Sequence, residues 1–353
     1  MNGSSDTNTK PQSSRWKRLL QNLTLALGVF LICALGAEMA LRLAGFGNLE
    51  IYEPHPRLYW RLKPNQDCFT KVDRKPVHIN SHGTRGPEFT AKKPPGTLRI
   101  LSLGDSRTFG WGLSQTQTYS EALGRLLQER FGFTNKVEVI NAGVNAWSYP
   151  QMLVFYRDVA AAWQPDLVIL AEANLWTQFS EHNSEAFVRQ FMSRVRLKNF
   201  LRRFALYHYV VEVKLKDFYE RHRTKFIPVD PQQDPLFKEQ QQDDPDAVFR
   251  TAIASLCSLA ISNGAQPVLL FLPTCDDLTT TNKSRVLRVK QEVAATLGIP
   301  LVDATTQLVP QSKALYLEAD PVHLNATGNQ LVAQLLAGQL SAGITNLHFP
   351  PEP

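Results

Sequence analysis

The stretch RILSLGDSRTFGWG, residues 99–112, decides the fold. It opens with a short apolar run, Ile100, Leu101 and Leu103, rich enough for a buried strand, and breaks at Gly104-Asp105-Ser106. A serine set where a strand ends and a helix begins is lifted out of the sheet with its hydroxyl free. Backbone N–H groups that the first helical turn leaves unpaired lie beside it, able to face a developing negative charge. Gly and Asp are also routine turn residues. The stretch alone therefore does not separate a plain turn from a nucleophile.

A second stretch, LEADPVHLNATGNQLVAQLL (residues 317–336), supplies what a serine lacks. A serine hydroxyl becomes a competent nucleophile when a base takes its proton, and the usual base is a His held in one tautomer by a carboxylate. Asp320 and His323, three residues apart, can share one turn, anchored by the helix expected to follow. The bland reading of the same residues is that Asp320 caps a turn and His323 is a surface loop residue. What weighs against it is the pairing of the two stretches at opposite ends of one α/β pattern.

On these residues the chain resembles the SGNH (GDSL-like) hydrolase family. Ser106 stands in L-S-L-G-D-S, the first block of that family, and Gly143, in V-I-N-A-G-V-N, matches the second-block glycine. Asn174, in L-A-E-A-N-L-W, matches the third-block asparagine, and Asp320 and His323 match the last block. The likeness covers about residues 98–340 apart from a middle insert. It implies a three-layer, flavodoxin-like α/β fold and serine ester hydrolysis through Ser106, His323 and Asp320. The oxyanion hole would comprise the N–H groups of Ser106 and Gly143 and the Asn174 amide. No metal or organic cofactor is implied. One departure stands out: the usual G-x-N-D of the third block reads Glu172-Ala173-Asn174-Leu175. Arg107, directly after the serine, is also unusual. It is a candidate for binding an anionic substrate group, or for pairing with a local carboxylate such as Glu172.

The pattern around these blocks leads independently to the same fold class. Apolar strands are expected at Ile100–Leu103, Val137–Asn141, Leu167–Ala171, Val268–Leu272 and Leu301–Asp303. They alternate with helices at Tyr119–Arg130, Pro150–Trp163, Ala247–Ser262, Lys283–Leu297 and Thr327–Leu340. Such alternation makes a parallel sheet with helices on both faces. Ligands of these sheets bind beyond the carboxyl ends of the strands, and Ser106, Gly143 and Asn174 each follow such an end.

At 353 residues, with 43% hydrophobic and 20% charged residues, the chain has room for one large domain with accessories. Residues 1–18 read as a polar, disordered cytoplasmic tail. Residues 19–45 read as a transmembrane anchor, because no charge falls between Leu19 and Ala37 and that span is about one bilayer core long. Arg15, Lys17 and Arg18 just before it place the N-terminus in the cytoplasm and the body outside, in the periplasm or at the cell surface. A cleaved signal peptide is the competing reading, since Ala34 to Ala40 is rich in small residues.

Residues 46–97 carry Tyr59, Trp60, Phe69 and Phe89, more aromatic surface than a solvated linker needs, and are expected to pack on the hydrolase domain, residues 98–345. Residues 346–353 form a tail. Within the domain, 180–246 is too long for a simple connection. Between Phe187 and Phe226 it holds eleven Lys/Arg against three Asp/Glu, with apolar residues at helical spacing. Two readings of this helix stand, one packing its apolar side on the domain and one lying on an anionic membrane surface or over the active site. Asp230 to Asp246 reads as a mobile loop.

Nothing accompanies the net charge of +6 that would suit nucleic acid. Cys33, Cys68, Cys257 and Cys275 have no metal-ligand spacing. His55, His78, His82 and His182 sit in no motif. The expected partners are therefore an acyl ester substrate and a membrane, with the oligomeric state open. The rival functions are acyl transfer between glycans and binding of glycan or lipid without turnover.

Overall fold

The computed structural model describes residues 13–49, 52–70, 74–130, 136–173, 185–215, 218, 246–279, 284–318 and 320–344. Asn174, His182, the stretch 230–245 and both chain ends lie outside them. The chain opens with a long helix, α1 (Ser13–Leu43), long and apolar enough to cross a membrane and with none of its most apolar window buried. Two antiparallel ribbons follow. The first pairs β1 (Tyr52–His55) with β2 (Tyr59–Leu62), the second β3 (Gln66–Phe69) with β4 (Pro76–Ile79).

The central sheet then begins with β5 (Leu98–Gly104), which leads into the short helix α2 (Ser106–Phe109) and then α3 (Tyr119–Arg130). Next come β6 (Val137–Gly143), α4 (Tyr149–Asp158), β7 (Leu167–Leu170) and α5 (Glu185–Leu201). The rest is α6 (Ala247–Ser262), β8 (Gln266–Phe271), α7 (Arg285–Leu297), β9 (Leu301–Asp303) and α8 (Ala326–Ile344). The helix expected at Pro150–Trp163 stops at Asp158 and resumes as a tighter turn, Ala160–Trp163. The break lets Trp163 meet the rings of Phe89 and Phe155 edge-on.

The sheet is parallel throughout, in the order β6-β5-β7-β8-β9. Every residue of β5 is buried, because helices cover both faces. Leu101 and Leu103, with Val168 and Leu170, point into the core beneath α4, α6 and α7. Leu98 and Ile100, with Leu167 and Ile169, point into the opposite core beneath α3 and α8. This is the period-two alternation of a strand buried on both sides. The strand order reverses between β5 and β7, which opens a crevice at their carboxyl ends.

The segment before the sheet braces that end of the molecule. Tyr59 and Trp60 are buried, Trp60 Nε1 donates to Asn145 O (3.1 Å), and Trp147 Nε1 donates back to Trp60 O (2.9 Å). Arg85 bridges β4 to the edge strand β6 through Ile79 and Asn141. Its buried guanidinium donates to the carbonyls of Phe109, Gly110 and Leu113, fastening the loop after α2. α5 lays Phe191 against Tyr59 and Trp60, so this face of the basic helix packs on the body. All four cysteines are free thiols, Cys33 exposed and the other three buried.

Candidate active site

Gly104-Asp105-Ser106 turns tightly around Asp105, whose polar groups are all engaged. Asp105 N–H donates to Glu172 O (2.8 Å), its carbonyl accepts from Phe109 N–H (2.9 Å), and its carboxylate caps α2 by accepting from Arg107 N–H (2.9 Å). A side chain at residue 104 would put its Cβ 2.0 Å from Thr108 Oγ1, so only glycine lets α2 fold back this closely. Beneath it, Tyr119 OH bridges Thr108 Oγ1 (2.9 Å) and Ser102 Oγ (2.8 Å), and burial pushes its phenol up to about 12.

From this turn Ser106 Oγ reaches to 2.7 Å from His323 Nε2, and His323 Nδ1 lies 2.7 Å from Asp320 Oδ2. The other Asp320 oxygen accepts the N–H groups of Val322 (2.9 Å) and His323 (3.2 Å). One carboxylate thus shapes the turn and holds the imidazole. Burial raises the Asp320 carboxyl, but the His323 ring and the two N–H groups outweigh it and leave the group below its ordinary value. Trp111 stacks on the His323 ring (centroids 5.8 Å apart, planes at 30°) and limits its tilt. Cys275 N–H ties the 320–323 turn to the body through Pro321 O (2.7 Å).

Gly143 ends β6 on the same rim, but its N–H donates to Asn141 Oδ1 (3.0 Å) rather than standing open. A Cβ there would lie 2.1 Å from Phe109 N. The N–H expected to serve the oxyanion is thus held by Asn141 in this structure, and the absence of a side chain lets β6 touch the helix that carries Ser106. Asn174, the other expected donor, lies outside the described residues.

Of the two readings of Arg107, the structure carries the local ion pair. Its guanidinium pairs with Asp105 (2.8 Å), two residues back, rather than with Glu172 or toward open solvent. Burial works against its charge, but Asp105 and Glu172 outweigh burial and hold it above the ordinary arginine value. Glu172 instead meets Lys290, whose fully buried Nζ also donates to Ala171 O. Lys290 reaches Leu270 O as well, so the ammonium ties β7 to β8 at their carboxyl ends. Burial pulls the Lys290 ammonium below its ordinary value, with Glu172 opposing. Two cations and two carboxylates therefore balance beneath the serine.

Sequence reasoning missed Lys290, Trp111 and Arg85. The available signal for Lys290 was its place in RVLRVKQEVAATL, on the apolar stripe with Val286, Val293 and Leu297. A cation there has to find an acid in the interior.

The family model of GDSL-like lipases/acylhydrolases matches residues 102–331. Nothing matches among the curated proteins. Among solved structures the chain is similar to TesA, with 15% identity over 69% of this chain and 98% of that one, at a TM-score of 0.43. It is similar to a two-domain esterase (CEX) active on acetylated mannans, with 14% identity over 72% of this chain and 52% of that one, at 0.44. It is also similar to the lipase/acylhydrolase from Enterococcus faecalis, with 16% identity over 72% of this chain and 99% of that one, at 0.43.

Proposed function

The chain belongs to the GDSL-like lipase/acylhydrolase family and is a carboxylic ester hydrolase, and on that premise we propose that it cleaves O-acyl esters, acetyl esters included, of an envelope glycan or lipid through Ser106. The reading is carried by one observation, the unbroken run from Ser106 Oγ through the His323 ring to Asp320, 2.7 Å at each step.

In this mechanism His323 Nε2 takes the Ser106 proton as Oγ attacks the ester carbonyl, and Asp320 stabilises the imidazolium that forms. The Ser106 N–H and the Asn174 amide meet the tetrahedral oxyanion, and loss of one such donor costs on the order of 10²–10³ in rate. His323 then returns the proton to the leaving alcohol, and water releases the acyl group. No step requires a cofactor.

We propose that α1 is an uncleaved anchor with the body on its outer side. Supporting this, Glu38 accepts the N–H groups of Ala205 and Leu206 (2.9 Å each) and Arg42 donates to Arg203 O (2.7 Å). A cut between Ala34 and Ala40 would sever the continuous helix whose last turns make those bonds. A body held outside the membrane meets envelope polysaccharide and lipid, hence the substrate class.

The test is turnover of a small p-nitrophenyl ester and capture of a fluorophosphonate probe. Ser106→Ala abolishes both with the fold intact; retained turnover in that variant overturns the assignment of the nucleophile. Product analysis with an added acceptor alcohol separates hydrolysis from transfer.

A further inference from the structure

α5 changes character along its length. Its first half sets Phe187, Val188, Phe191 and Val195 against the body. Beyond that the chain turns its apolar side outward. Leu197, Phe200, Phe204, Leu206, Val210 and Leu215 are between 38% and 60% exposed, so among the described residues six large apolar side chains within nineteen residues form a surface left largely uncovered. Phe200 and Phe204 meet edge to face (centroids 5.4 Å apart) and form its centre. Arg194, Arg196, Lys198, Arg203 and Lys214 are exposed among them.

The position of this surface identifies what covers it. Residues 203–209 wrap the outer end of α1: Glu38 and Arg42 bond to Arg203, Ala205 and Leu206, and Gly47 N–H donates to the His208 ring (2.9 Å). Phe46, just past α1, packs edge-on against His208 and Tyr209. Glu38 and Arg42 are the first charges after the uncharged span, so they mark the level at which α1 leaves the hydrocarbon.

We infer that residues 197–215 form a collar that rests in the lipid leaflet from which α1 emerges. Its apolar side chains lie at the acyl boundary and its cations meet lipid phosphates. Amphipathic elements of this composition sink roughly 5–10 Å into that zone. The inference rests on the reading of α1 as a membrane anchor. Continuity with α1 and the basic rim favour lipid over a protein partner, which would more naturally be met away from the anchor.

The test uses the full chain in vesicles of phosphatidylethanolamine and phosphatidylglycerol, with the thiol-reactive probe nitrobenzoxadiazole. Cys33 is the exposed native thiol, so labelling the unaltered chain reports on α1 itself. In a Cys33→Ala background the probe is then placed by Phe200→Cys, by Leu206→Cys, and at a distant exposed position by Lys136→Cys. Retained ester turnover reports an intact fold. The collar predicts blue-shifted emission, quenched by spin-labelled lipid, at 33, 200 and 206, with water-like emission at 136. Lipid-like emission at 33 with water-like emission at both 200 and 206 overturns the collar and leaves the anchor standing. Water-like emission at 33 overturns the anchor and the collar together.

Discussion

Lys290 Nζ lies 2.6 Å from Glu172 Oε1, with both side chains buried directly behind the turn that presents Ser106. A buried pair of this kind is weak evidence of net stability, but breaking it from one side is costly, because the survivor keeps its charge in a dry site. Lys290→Met is expected to lose about 3–5 kcal/mol in chemical unfolding. Glu172→Gln combined with Lys290→Met recovers much of that loss. Equal losses in the single and double variants would show that the charges are not coupled.

Gly143 presses β6 against α2. Because the atoms a Cβ would strike are backbone, Gly143→Ala must move the helix that carries Ser106. The expected cost is roughly 1–3 kcal/mol of stability together with a fall in kcat. Gly264→Ala serves as the contrast, since a Cβ there meets nothing within 4 Å. Its penalty comes from its positive φ (+80°) alone, with kcat unchanged. Unfolding curves and steady-state kinetics of the two variants check this.

Asp320→Asn is expected to cut kcat by on the order of 10⁴, as loss of the imidazole-orienting carboxylate does elsewhere. It also carries a pH signature. The carboxyl titrates lower in the folded chain than in the unfolded one, so the unfolded state binds more protons in the window between the two values. The stabilisation is complete above the ordinary aspartate value and is lost as pH falls through the folded value. The stability gap between wild type and Asp320→Asn therefore closes on acidification, which thermal unfolding across acidic pH measures.

Trp111→Ala frees the His323 ring to tilt. Misplacement of a general base by about 1 Å costs up to about 10² in kcat, so kcat is expected to fall with little change in melting temperature. A change confined to KM would instead make Trp111 a wall of the acyl site.

Thiol reactivity follows burial. Burial pushes the Cys257 thiol up to about 12 despite the nearby Lys290 charge, and Cys68 and Cys275 are also buried. Iodoacetamide at mildly alkaline pH is expected to spare Cys68, Cys257 and Cys275 in a folded Cys33→Ala variant and to add three times after unfolding, counted by intact mass.

The elements most legible in the sequence were those with strong periodicity between clear stops. Tyr119–Arg130, Ala247–Ser262 and Leu301–Asp303 have the expected bounds. What escaped depends on contacts across the chain. The pattern offers Glu172 as one partner for Arg107, while the fold gives Glu172 to Lys290, which only the meeting of strand ends brings near, and leaves Arg107 with Asp105. Asp320 shows why its two readings did not exclude each other, since one oxygen caps the turn and the other holds His323. The bond from Gly143 N–H to Asn141 Oδ1 is local, but the amide is aimed by its other end, which donates to Thr108 O (2.8 Å) across the chain.

The bonds from Glu38 and Arg42 to residues 203–206 have a mechanical consequence. A globule on a slack string sweeps a hemisphere and samples targets at many heights. With α1 as the proposed anchor, the stalk would be welded to its load, and the cleft would work at one fixed altitude and tilt. Substrates would have to be delivered to it, and lengthening the stem by whole helical turns would change which of them are reached.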